Sequence, residues 1–345
     1  MFRASAFVIV SLLSVVLVRA QAPAPAPAPA PAGGLVVGSG NFFSPIVTDL
    51  DKATAFYRDG LGFAVPGAPS DAATNAPLRN MFGLPNAQLR WVIARPAGIQ
   101  GGVEIVEAKN VASHPVTRNV QDPGAVTLVL AVRDADTMVS RLTRLGGVVV
   151  TTGGAAIDVA LGGAASRAAL IRTPDGHFLQ LVQRPAPPAA AGEPTPDVME
   201  ARVRLTVSDI ERTLRLYRDQ LGLREQSPGS FSGTSAVLQM LGLRSGMYRQ
   251  AITQVPTSGL FLQFIEFKDV DRRVVHADIQ DPGSTRMQLR VKDLDAAIKA
   301  VVGAGGRVVS SGGTPALLPA GQGSPIRAAI VQDPDNLFLV LIEAR

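Results

Sequence analysis

The chain writes nearly the same heptad twice, YRDGLGF at residues 57–63 and YRDQLGL at residues 217–223. A duplicated domain copies its whole pattern and not one loop, and the surrounding text agrees. VTDLDKATAFYRDGLGF from Val47 aligns with VSDIERTLRLYRDQLGL from Val207. VQDPG at Val120 answers IQDPG at Ile279, and TPDGHFLQLV at Thr173 answers DPDNLFLVLI at Asp333. Two copies of one domain fill most of the chain, so any fold read for the first binds the second.

Each copy is itself doubled. FSPIVTDLDKATAFYRDGLGF is echoed by LVLAVRDADTMVSRLTRLGGVVV, and RLTVSDIERTLRLYRDQLGL by QLRVKDLDAAIKAVVGAGGRVV. Every echo has an alternating strand, an Asp, a stretch of helical apolar spacing and a Leu-Gly or Gly-Gly stop before further β-rich sequence. The Asp suits a helix N-cap because its carboxylate accepts from unpaired N–H groups of the first turn, and the glycines suit the helix end. The expected unit is βαβββ, used four times in an α+β protein.

The flanks are of a different kind. Residues 1–20 read as an export signal, with Arg3, an apolar core from Ala6 to Val18 and a small-residue cleavage pattern ending at Ala20. The apolar run is shorter than the roughly 20 residues a spanning helix wants, so export followed by cleavage is expected, to a periplasmic or extracellular location. Residues 21–35 hold an alternating Ala-Pro tract suited to an extended tether. A second proline- and alanine-rich tract separates a first domain, 36–184, from a second, 200–345, with 185–199 as linker. Loss of Arg3 and Arg19 with the leader lowers the formal charge from +5 to +3. With no basic run interleaved with aromatics, neither nucleic acid nor an anionic membrane is an expected partner. There is no cysteine, which removes disulfides and a lipid anchor.

The strand-Asp-Leu-helix opening with FYRDGLG, and TPDG or DPDN before each copy's last strand, resemble the vicinal oxygen chelate superfamily of glyoxalase I, bleomycin and fosfomycin resistance proteins and extradiol dioxygenases. The resemblance covers nearly all of residues 36–345. It implies that pairs of βαβββ modules curl their sheets into open cups whose inward side chains hold a metal ion and a ligand. In the enzymes, four cup positions carry His, Gln or Glu, since a Lewis-acidic ion needs converging nitrogen or oxygen donors. Carried onto this chain, those positions hold Phe42, Thr127, Glu104 and Gln180 in the first domain and Arg202, Arg286, Gln263 and Val340 in the second. Neither set is a metal site as written. Two arginines and Val340 argue against an ion in the second domain, and no cofactor is expected. Glu104 and Gln180 are the two side chains that could lend oxygens to a divalent ion completed by water.

Strand alternation then assigns faces. Val203, Leu205 and Val207 take the helix side of one strand and Met287, Leu289 and Val291 that of another. Arg202, Arg204, Arg286, Gln288 and Arg290, joined by Gln263, are left on one concave surface. Guanidinium forks suit carboxylate or phosphate, so these six are the candidate ligand residues for a small, anionic molecule. The bland alternative is a solvated face, or arginines paired with Glu107 and Glu266. The first cup is expected to be apolar, with Phe42, Ser44, Ile46, Thr127, Val129, Ala131, Phe178 and Val182 around Glu104 and Gln180. His114, His177 and His276 are read as surface or loop residues, and Tyr57 and Tyr217 as core with hydroxyls at its edge. No catalytic residue is assigned. The leading reading is a metal-free small-molecule binder. One rival is a glyoxalase-like lyase or a dioxygenase using an ion at Glu104 and Gln180, and another is a non-catalytic interaction module.

Overall fold

The computed structural model describes residues 34–71, 75–185, 196–319 and 324–344. The export leader and most of both proline-rich tracts lie outside the described residues. Module one follows a leading strand β1 (Val36–Ser39) and comprises β2 (Ser44–Val47), α1 (Leu50–Ala55), β3 (Ser70–Asp71), α2 (Ala76–Met81), β4 (Gln88–Ala94) and β5 (Val103–Lys109). Module two comprises β6 (Val126–Val132), α3 (Ala135–Arg144), β7 (Val148–Val149), β8 (Ile157–Leu161), β9 (Ala164–Arg172) and β10 (Phe178–Gln183). Module three comprises β11 (Val198–Val207), α4 (Ile210–Leu214), β12 (Arg224–Gln226), α5 (Ser235–Met240), β13 (Met247–Gln254) and β14 (Phe261–Lys268). Module four comprises β15 (Thr285–Val291), α6 (Leu294–Gly303), β16 (Arg307–Val308), β17 (Ala316–Leu318), β18 (Ile326–Gln332) and β19 (Phe338–Glu343). β11 begins inside the stretch read from sequence as linker.

The βαβββ plan stands in all four modules, each with one added element: a short helix in modules one and three, an extra strand in modules two and four. Asp49, Asp134, Asp209 and Asp293 cap their helices in extended conformation, each carboxylate accepting a backbone N–H of the first turn. The repeated YRD heptads fall in wider π-helical turns, Phe56–Gly60 and Arg215–Gln220, that follow α1 and α4.

The pairing of modules departs from the sequence expectation. One sheet runs β16-β18-β19-β15-β2-β5-β4-β3, and the other β12-β13-β14-β11-β6-β10-β9-β7. Module one is therefore joined to module four, and module two to module three, so neither sequence copy builds a cup by itself. At the second seam Arg204 lies opposite Thr127 and Arg202 opposite Val129; at the first, Arg286 lies opposite Ser44. Alternation fixes which face a side chain takes but not which strand lies alongside. Four similar opening strands left that choice to the connectors.

Those connectors, around residues 110–125 and 270–284, run across one another. Asp122 accepts from Asn119 N in its own connector (2.7 Å) and from Arg273 N in the other (2.9 Å). Asp281 does the reciprocal, accepting from Asp278 N (2.8 Å) and His114 N (2.9 Å). Both aspartates are buried, and Arg118, buried near them, donates to Val275 O across the same crossing at 2.9 Å. Burial lowers the Arg118 pKa, with the charges of Asp122 and Asp281 opposing. The Asp-Pro-Gly turns are thus the clasp between the two copies.

The last turns of modules two and four add further ties. Asp175 accepts from Thr48 N and Oγ1 (2.8 and 2.7 Å), and Asp335 from Ser208 N and Oγ (3.0 and 2.6 Å). His177, expected at the surface, is buried and lies 3.0 Å from Ile46 O through Nε2 and 3.1 Å from Thr285 Oγ1 through Nδ1. It bridges modules one and four, and burial holds its pKa down. The tyrosine hydroxyls are not at a wet edge either. Tyr217 Oη donates to Asp333 Oδ2 at 2.8 Å, whereas buried Tyr57 Oη has no partner among the described residues. The repeat explains the difference: Thr173 stands where the second copy has Asp333. Tyr57→Phe should therefore be neutral or stabilising, and Tyr217→Phe should cost roughly 1–3 kcal/mol, because it leaves the buried Asp333 carboxylate short of a donor. Urea midpoints of the two variants check this.

Candidate functional sites

The sheets curve around two cavities. Cup I, from modules one and four, encloses about 190 Å³ and is walled by apolar side chains including Leu89, Trp91, Val106 and Val340, with Met81 and Phe82 covering it from the end of α2. Cup II, from modules two and three, encloses about 200 Å³, with Val129, Val182, Ile265, Tyr248 and, from α5, Met240 among its walls. Each short helix is pinned by a hydroxyl: Ser310 Oγ donates to Met81 O and Thr151 Oγ1 to Met240 O, both at 2.8 Å. Gly83 and Gly242 end the two helices at φ +70° and +73°, where a Cβ would come within 2.4 Å of Val309 O and 2.5 Å of Val150 O. Only glycine fits such an approach.

Sequence reasoning missed these lids, although APLRNMFGL at Ala76 and SAVLQMLGL at Ser235 share Met, Gly and Leu at matched positions, a fainter echo than the YRD heptads.

The six candidate ligand residues divide between the cups. Arg202, Arg204 and Gln263 line cup II, and Arg286 and Gln288 line cup I. Arg290 lies at the exposed end of β15, paired in register with Gly38, and lines neither cavity. The single arginine surface expected from the sequence thus does not form, because β11 and β15 open different sheets. For the same reason Glu104 and Gln180 cannot share an ion: Glu104 is in cup I and Gln180 in cup II. Glu107 and Glu266, one residue off the cup register, face the helices. There they bond Leu50 N and Ile210 N (3.3 and 3.1 Å) and pair with Arg90 and Arg249 (3.1 and 2.8 Å), not with the cup arginines.

The floor of cup II is Arg204, only 3 % exposed. Its Nη1 donates to Gln180 Oε1 at 2.5 Å, while Nε and Nη2 have no partner among the described residues. Burial with no acid to offset it pulls its pKa down to about 10. Nε and Nη2 form one edge of the guanidinium fork. Elsewhere in this protein that edge takes a carboxylate: Arg58 meets Asp59 through it at 2.7 and 2.8 Å, and Arg218 meets Asp219 at 2.6 and 3.0 Å. Nearer the rim, Arg202 pairs with Glu200 at 3.0 Å and lies over the Phe261 ring. Gln263 bonds Gln250, a β13 residue the sequence did not single out.

Cup I has a buried arginine of another character. Arg286 is fully buried with its guanidinium 4.4 Å above the Phe82 ring, and Nη2 lies 3.4 Å from Glu104 Oε2. The same oxygen accepts from Gln288 Nε2 (3.2 Å) and Ser44 Oγ (3.3 Å), and Gln288 Oε1 accepts from Asn41 N (2.9 Å). Arg286 Nε and Nη1 are unpartnered among the described residues. Burial lowers the Arg286 pKa, and Glu104 opposes that.

Residues 41–181 match the sequence model of the Glyoxalase/Bleomycin resistance protein/Dioxygenase superfamily. These residues belong to that superfamily. No curated protein matches the chain by sequence. Glyoxalase I from Zea mays is similar in structure, with a TM-score of 0.56 at 18% identity over 88% of this chain and 92% of that one. A mutant of the same maize enzyme gives 0.56 at 19% over 88% and 94%. At such identities the likeness is one of fold, and it extends over both sequence copies.

The metal positions that the resemblance implies, regrouped by the observed sheets, fall to Phe42, Glu104, Arg286 and Val340 on the cup I side and Thr127, Gln180, Arg202 and Gln263 on the cup II side, with Phe42 and Thr127 lining neither cavity. These residues do not fit a divalent ion. In cup I the sole carboxylate of the set already faces a guanidinium, and cup II offers two amides, a hydroxyl and a cation. Among the described residues no group of three or more His, Cys, Asp or Glu side chains converges.

Proposed function

We propose that the protein is an exported, metal-free binder of a small anionic molecule, taken up in cup II. The observation that carries this reading is Arg204: a buried cation with no acid beside it and one fork edge unpartnered, at the base of a cavity with apolar walls. Stripping a guanidinium of water without a counter-charge is costly, and a carboxylate arriving from solution removes that cost with two charge-assisted bonds. The apolar walls suit a body of aryl or branched alkyl character. Gln180 holds the third guanidinium nitrogen and so orients the fork. Export rests on the leader read from residues 1–20.

Calorimetric titration with phenylacetate and its neutral analogue phenylacetamide tests the reading. The acid should bind cup II and the amide should not. Arg204→Met should weaken acid binding by roughly 10- to 100-fold, the worth of hydrogen bonds to a charged group, and Arg204→Lys should recover only part of it, since an ammonium lacks the planar fork. Without ligand, Arg204→Met should raise the unfolding midpoint, because the unpaired charge is gone. Phenylacetate affinity unchanged in Arg204→Met, or abolished by a chelator in wild type, would refute the reading.

A further inference from the structure

We propose that cup I is a second, independent binding site, selective for an uncharged molecule with a carboxamide-like end and an aryl or branched alkyl body. Nothing in this inference depends on cup II. The walls of cup I set the body: Leu89, Trp91, Val106 and Val340 are apolar or aromatic, and about 190 Å³ accommodates one ring with a short side chain. Its polar floor sets the end group. Arg286 and Glu104 carry opposite charges and lie within one ion-pair distance, so the floor is neutral as a whole. An anion drawn to Arg286 meets the Glu104 carboxylate, and a cation drawn to Glu104 meets the guanidinium.

A neutral group that both accepts and donates fits instead. Arg286 holds two wholly buried donors, Nε and Nη1, on opposite sides of its guanidinium and with no partner among the described residues, and a ligand carbonyl takes one of them. The three bonds Glu104 accepts there all fall on Oε2, from Ser44, Arg286 and Gln288. A primary amide satisfies both sides, its carbonyl accepting from Arg286 and its N–H donating to Glu104 Oε1. Gln288 is held by Asn41 N and so keeps Glu104 Oε2 oriented, leaving Oε1 for the ligand. The guanidinium stands where the superfamily's enzymes carry a metal ligand. Here it acts as a fixed cation that offsets the carboxylate's charge and leaves hydrogen-bond polarity without net charge.

Cup I also carries its own reporter, because Trp91 is the only tryptophan of the chain and lines this cavity. The full-length protein is titrated with 3-phenylpropionamide and separately with 3-phenylpropionate while the indole emission is followed. The expected result is a saturable change with the amide, at least about tenfold tighter than with the carboxylate, as for one charge-assisted bond gained against one charge opposed. Arg286→Met should weaken the amide response by about tenfold or more. Should that variant fail to fold, Glu104→Gln keeps the shape and removes the opposing charge. It should then tighten 3-phenylpropionate by about tenfold. Three outcomes overturn the proposal: wild type prefers the carboxylate, neither compound changes Trp91 emission saturably, or Glu104→Gln leaves the preference where it was.

Discussion

Asp281→Ala is expected to lower the stability of the whole chain by roughly 2–5 kcal/mol, the cost of stranding two backbone donors and half the counter-charge of a buried arginine. The donors are His114 N, from the first connector, and Asp278 N, from the second. Arg118 keeps only Asp122 as a nearby acid after the change. Because Asp122 performs the same task for Asn119 N and Arg273 N, Asp122→Ala is expected to act alike. The double variant should reach or exceed the sum, since it leaves buried Arg118 with neither of its two acids. Denaturant unfolding of the three variants measures this. A loss below about 0.5 kcal/mol, the range of an ordinary surface change, would mean that the crossing of the connectors does not hold the modules together.

The second large effect is one of pH. Burial, with the neighbouring Asp335 charge adding to it, pushes the Asp333 carboxyl up to about 7. Bonds from Leu337 N and Asp335 N at 2.9 Å and from Tyr217 Oη at 2.8 Å pull the other way without cancelling it. The folded protein thus holds this proton more tightly than the unfolded chain, where an Asp titrates near about 3.9. Its contribution is fully present below about pH 4 and disappears as the pH rises through about 7, a swing of up to about 4 kcal/mol. Asp333→Asn, which cannot ionise, should lose that slope. Urea midpoints at about pH 5 and about pH 8 for wild type and variant give the difference directly. Parallel slopes would place the ionisation of Asp333 outside this range.

Much of this was legible in the sequence, and the parts that were not share a cause. The four Asp caps, the module plan and the inward alternation of Arg204, Arg286, Glu104 and Gln180 all follow from local periodicity and turn chemistry, which act over a few residues. Which strand lies beside which is a long-range matter. β2 and β6 belong to one copy and β11 and β15 to the other, and nothing within any of them names its neighbour. The six-residue candidate list therefore had the right face and the wrong company: Arg202, Arg204 and Gln263 in one cup, Arg286 and Gln288 in the other, Arg290 outside both. His177 shows the same limit, because its two contacts, Ile46 and Thr285, come from modules far from it in sequence. The lid helices could have been found from their own echo at Ala76 and Ser235.

The exchange of modules has a consequence for how the two cavities came to differ. Each takes its cation, Arg204 or Arg286, from the second copy and that cation's partner, Gln180 or Glu104, from the first. Gln180 beside Arg204 leaves that floor a net positive charge, whereas Glu104 beside Arg286 makes the other neutral. Glutamine and glutamate codons differ at a single base, so a duplicated gene stood one mutation away from changing the polarity that either chamber selects.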